Sequence, residues 1–83
     1  MDMIVRNAKQ LGASIRRVRR AKNWNQNLLG DRMHVRQATI SKLESGEPRT
    51  EIGVLMATLA ALDLELVIRP RTTISETEIE ELF

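Results

Sequence analysis

Residues 37–44 read QATISKLE, and the polar members of this stretch do not scatter. At about 100° per residue, Gln37, Ser41, Ala38 and Lys42 fall within an arc of about 140°, while Thr39, Ile40 and Leu43 turn the other way. These four residue types match the edges of DNA bases. A Gln amide can bond adenine N6 and N7 together, Lys reaches guanine O6 or N7, Ser serves as donor or acceptor, and the Ala methyl suits a thymine methyl. The arc is a candidate base-reading surface. The sequence offers no comparable set for catalysis: there is no nucleophile with its base, no carboxylate pair in a pocket and no phosphate-cradling Gly-rich loop. An enzyme is not expected, nor any cofactor.

A reading helix needs a frame. Asn7 is a good N-cap, and Leu11, Ile15 and Val18 recur at helical spacing after it, so residues 8–22 are expected as a first helix ended by Asn23 in a left-handed conformation. Asn25 caps a short second helix over about 26–32, with Leu28 or Leu29 and Met33 turned inward and Trp24 packed as a hydrophobic staple rather than as a base-stacking platform. Residues 34–36 form a turn, 37–44 the reading helix, and Ser45-Gly46 its end. Thr50 is the expected cap of a fourth helix over about 51–62, whose core stripe is Ile52, Leu55, Met56, Leu59 and Leu62. Val54, Ala57 and Ala61 form a second apolar line that a lone chain of this size has difficulty covering. "LELVIRPR" at 64–71 alternates in β fashion until Pro70, and a strand over about 64–69 with no partner of its own is expected to pair with the same strand of a second copy through Leu64, Leu66, Val67 and Ile68.

Length and charge limit the remaining options. Eighty-three residues suit one small domain. There is no cysteine, and the single His34 cannot hold a metal alone, so disulfides and thiolate metal sites are excluded and a reducing, cytoplasmic setting fits. No apolar run approaches a membrane span, and no signal peptide is apparent. The net charge of +2 conceals an asymmetry: residues 72–83 carry Glu76, Glu78, Glu80 and Glu81, leaving +6 on residues 1–71. Arg16, Arg17, Arg19, Arg20 and Lys22 concentrate that charge on the first helix, where it attracts phosphate or simply solvates the helix face. The expected organisation is a DNA-binding and dimerisation domain over 1–71, with its helix-turn-helix at about 25–45, followed by a flexible acidic tail. "SETEIEELF" in that tail suits a helix formed on a partner.

"WNQNLLGDRMHVRQATISKLESG" at 24–46 resembles the phage-repressor-like (Cro/C1, XRE-type) helix-turn-helix signature. Gln26, Leu29, Val35, Ala38, Thr39, Ile40, Ser41, Glu44 and Gly46 fall at the expected spacing. The resemblance implies a mainly α, lambda-repressor-like bundle of four to five helices, here with one C-terminal β-strand pairing across a homodimer. Two positions depart from it. His34 stands where a turn Gly is usual, so a non-Gly residue is expected at positive φ, and Gly30 replaces the usual Ala at a close helix crossing. After residue 46, "ESGEPRTEIGVLMATLAALDLELVIRPR" is similar to the Hip-type antitoxins. That narrower likeness implies a repressor of its own operon, acting on an inverted-repeat operator and binding a HipA-class kinase toxin.

Individual roles follow from this frame. Gln26 opens the second helix, where amides and the helix dipole favour a phosphate; Arg36, Thr39 and Arg16 are further phosphate candidates, with Thr39 otherwise packing inward. Glu44 opposes the dipole of the reading helix and needs a cation, for which the resemblance implies Arg19. His34 is read as a turn residue rather than a pH sensor. Three function classes remain distinguishable: an antitoxin repressor, a free-standing phage-type regulator, and a protein-interaction module for which the base-reading arc would have no use.

Overall fold

The computed structural model describes residues 2–71 and contains four helices among them: α1 (Ala8–Ala21), α2 (Gln26–Met33), α3 (Gln37–Glu44) and α4 (Ile52–Ala61). The first three begin and end largely where the capping chemistry places them. The Asn7 side chain accepts from the Gln10 amide at 2.8 Å, and Asn25 accepts from Leu28 at 2.8 Å, each satisfying an amide that the helix itself leaves open. Asn23 and His34 both take left-handed backbone, at φ 60° and 58°, so the turn between α2 and α3 does carry a non-glycine residue at positive φ.

Ile15, Leu29, Ile40, Leu43 and Leu62 form the core, one or two side chains from each helix or its cap, with Leu11, Val18, Trp24, Met33 and Leu55 packed against it. Two close approaches bring these elements together. A Cβ at Gly12 would stand 2.5 Å from the Leu43 carbonyl oxygen and 2.6 Å from that of Glu44, so only glycine lets α1 lie against the end of α3. A Cβ at Gly30 would stand 2.8 Å from the Val35 carbonyl oxygen, so the bare α2 backbone lets the turn fold back over it.

The C-terminal third departs from the sequence reading. Thr50 does not cap α4; its hydroxyl donates to the Glu47 carbonyl at 3.0 Å inside the loop, and Glu51 takes the cap position without a side-chain bond. The expected core stripe is split: Leu59 and Leu62 are buried and Leu55 half-buried, whereas Ile52 is 76% and Met56 45% exposed. The helix is rotated so that Thr58 enters the core, its hydroxyl donating to the Val54 carbonyl at 2.7 Å. Ala61, assigned to an outer line, instead packs on the core.

No strand forms among the described residues. Leu64 folds back on its own core, its amide donating to Leu59 at 2.7 Å, while Leu66, Val67 and Ile68 stand exposed on irregular backbone. A β-ladder needs a second strand, and one chain supplies none. The acidic segment 72–83 lies outside the described residues, and no helix among them is long and apolar enough to cross a membrane.

Candidate nucleic-acid interface

The four residues of the α3 arc, Gln37, Ala38, Ser41 and Lys42, are all exposed, and Ile40 and Leu43 on the opposite side are buried. Two open hollows flank them. On one side Gln37 borders a polar hollow with Arg16 and Arg20 of α1 and Asn25 and Asn27 at the start of α2. On the other, Thr39 and Lys42 border a hollow of mixed charge, with Glu47, Arg49, Thr50 and Glu51 of the following loop. Arg36 is exposed at the N-cap of α3, which no side chain caps. The phosphate candidates thus divide: Arg16 and Gln26 on one flank, Thr39 on the other, Arg36 at the helix entrance. Arg20, already part of the basic run on α1, joins them, as do Asn27 and Arg49, which the sequence reading did not name. The i, i+4 spacing of Arg16 and Arg20 carried the signal for one of these.

A buried polar chain lies behind the arc. Arg19 Nε donates to Glu44 Oε2 at 2.6 Å, and Nη2 donates to Oε1 at 2.8 Å, in a two-pronged pair with both side chains under 10% exposed. Arg19 Nη1 donates in turn to the Trp24 carbonyl at 2.7 Å, fixing the linker that enters α2. Hydrogen bonding to Glu44 holds the Arg19 guanidinium above its ordinary value, against the opposing effect of burial. The pair ties α1 to the last turn of α3, where the carboxylate would otherwise face the negative end of the helix dipole.

Gln26 occupies a place the sequence did not suggest. Its Nε2 donates to Glu44 Oε1 at 3.2 Å, and its Oε1 accepts from Gln37 Nε2 at 2.6 Å. The residue read as a phosphate donor therefore also joins the buried pair to the first residue of the reading arc. Among the described residues, no buried side-chain nitrogen or oxygen lacks a partner. Trp24 is half-buried against the core, with the Arg32 guanidinium 4.4 Å and Lys22 Nζ 5.5 Å from its ring centre. Cations at this range hold the ring by its quadrupole. No three metal-ligating groups gather among the described residues.

The helix-turn-helix family model HTH_3 matches residues 15–68, about two thirds of the chain. The chain belongs to this helix-turn-helix family. No curated protein matches it. Among solved structures, a complex described as HipB-O4 20mer is similar at a TM-score of 0.80 and 24% identity, covering 86% of this chain and all of the other. A HipB-O1-O2 complex is similar at 0.77 and 25% identity, covering 83% of this chain and all of that one. A chain of a structure described as a HipA-HipB-O2-O3 complex is similar at 0.79 and 24%, covering 86% and again all of that chain. Helices α2 and α3 both lie within the matched residues.

Proposed function

We propose that the protein is a sequence-specific repressor that binds double-stranded DNA as a homodimer, with α3 in the major groove and α2 crossing the backbone. The observation that carries this reading is the exposed arc of Gln37, Ala38, Ser41 and Lys42, backed by a buried ion pair and flanked on one side by Arg16 and Arg20. In this reading those four residues contact base edges, and Gln26, Arg36, Thr39 and Arg16 contact phosphates.

The dimer rests on exposed apolar surface. Ile52, Gly53, Met56, Ala57 and Ala60 of α4 are all exposed, as are Leu66, Val67 and Ile68, an arrangement a second copy would cover by pairing residues 64–69 across a two-fold axis. A two-fold protein calls for an inverted repeat. The unit that does this is residues 1–71, and the acidic segment 72–83 is a tail for a further partner. By the likeness to HipB, that partner is a HipA-like kinase toxin, which makes the protein the antitoxin of a toxin–antitoxin operon in the cytoplasm.

Selection from a randomised duplex library tests the DNA reading. Gln37→Ala or Lys42→Ala is expected to cost about 1–3 kcal/mol on the selected site and to relax preference at one base pair, whereas Arg16→Ala weakens all sequences alike. A wild-type protein that enriches no sequence would remove the reading. Co-purification with a kinase encoded in the adjacent reading frame, lost on deletion of 72–83, tests the antitoxin assignment.

A further inference from the structure

The polar chain behind α3 has a direction. Glu44, with a guanidinium on both its oxygens, offers its neighbours only lone pairs, so the Gln26 amide must turn Nε2 toward it. Gln26 Oε1 then faces the other way and accepts a hydrogen bond from Gln37, which spends one N–H of Nε2 inward. Gln37 is left with Oε1 and one N–H to present outward.

We infer that the Arg19–Glu44 pair, acting through Gln26, sets the hydrogen-bond polarity of Gln37 and so makes it select adenine against guanine. The inference rests on the base-reading role of Gln37 proposed above. Adenine presents one donor, N6, and one acceptor, N7, in the major groove, whereas guanine presents two acceptors, O6 and N7. An outward acceptor beside an outward donor matches adenine. Had the chain run in reverse, with Gln37 Oε1 turned inward, the whole amino group would face the groove and match guanine. Amide orientation is ordinarily open to a flip, but here a carboxylate at the root of the chain removes that freedom. Glu44 and Gln26 are thus positioning residues for specificity, besides their part in holding the fold.

The experiment compares wild type, Gln26→Lys and Gln26→Met on duplexes carrying each of the four base pairs at the position that Gln37→Ala relaxes. Gln26→Lys replaces a two-sided amide by a pure donor, which still satisfies Glu44 but requires Gln37 to turn its oxygen inward. Wild type should favour adenine over guanine about tenfold, within the range of a bidentate contact. Gln26→Lys should reverse that preference, and Gln26→Met should flatten it. The added lysine charge strengthens binding to every duplex alike and cancels in the ratio. In the free protein, exchange of the Gln37 side-chain amide protons should be several-fold faster in Gln26→Met than in wild type. A Gln26→Lys variant that keeps the adenine preference, a Gln26→Met variant that weakens all four duplexes equally, or an unchanged amide exchange rate would overturn the inference. Failure of wild type to prefer any sequence, or of Gln37→Ala to relax one, would instead overturn the base-reading proposal beneath it.

Discussion

Two helices of this protein each expose an arc of about 140°, and the two arcs have opposite chemistry. On α3 the exposed set is Gln37, Ala38, Ser41 and Lys42; on α4 it is Ile52, Met56, Ala60, Gly53 and Ala57, without a charge among them. The first arc is finished from within. Its opposite face is buried, the carboxylate at its end is paired, and its first residue is tied to the core by hydrogen bonds. The second belongs to a helix that is apolar all round, which in a small protein implies burial on every side. One chain does not provide it. On the reading proposed above, the first surface meets water and DNA and the second meets another protein surface.

Breaking the finished side should cost most. Glu44→Ala leaves the buried Arg19 guanidinium without its carboxylate, and breaking such a pair costs about 3–5 kcal/mol. Against the roughly 5–15 kcal/mol that holds a typical domain folded, that removes a large share of the stability. Chemical denaturation followed by far-UV circular dichroism measures it. Replacing both partners by Met and Leu should recover most of the loss, because no charge is then stranded. A Glu44→Ala protein as stable as wild type would mean that the pair does not brace α3. Gly12→Ala comes next, at about 1–3 kcal/mol, since the new methyl meets backbone carbonyls of α3 rather than a side chain able to move aside. A neutral result there would show that α1 and α3 can separate without penalty.

The same contrast explains what could be read from the sequence. Helices α1, α2 and α3 were legible because asparagines capped the first two and because polar and apolar residues alternate with a helical period. On α4 the period was uninformative. A helix with apolar residues on all sides fits several rotations equally well, so Ile52 and Met56 were assigned inward and the buried Thr58 was missed. The strand expected at 64–69 depends on hydrogen-bond partners that one chain lacks. In the site, residue types identified the arc, but Gln26 showed only that it can both donate and accept. Its link from Glu44 to Gln37 depends on the distance between helices, which spacing along the chain does not encode.

A smaller effect sharpens the view of the reading half as locally optimised for geometry rather than stability. His34 sits at φ 58°, a conformation that costs a non-glycine residue about 1–2 kcal/mol. Glycine removes that strain but loses more freedom on folding, by about 0.5–1 kcal/mol. His34→Gly should therefore stabilise the domain by roughly 0.5–1 kcal/mol, visible as a higher denaturation midpoint with an unchanged slope. A lower midpoint would mean that the imidazole makes contacts outweighing the strain.

The smallest effect on a single chain should come from charging the α4 arc. Ile52→Glu together with Met56→Lys places an acid at the first turn, where the helix dipole favours it, and a base four residues on. Both side chains stand in solvent, so the fold of one chain should change by no more than about 0.5 kcal/mol. Association should respond very differently. If a second copy covers this arc, two charges per chain must be desolvated at a cost their mutual attraction does not repay, and the dimer should dissociate at micromolar concentration in sedimentation. DNA binding should then fall to that of a single reading helix, with the base preferences of each half-site unchanged. A double variant that remains dimeric would move the interface away from α4. A variant that dissociates yet unfolds would show that the arc supports its own chain, and the contrast between the two helices would no longer hold.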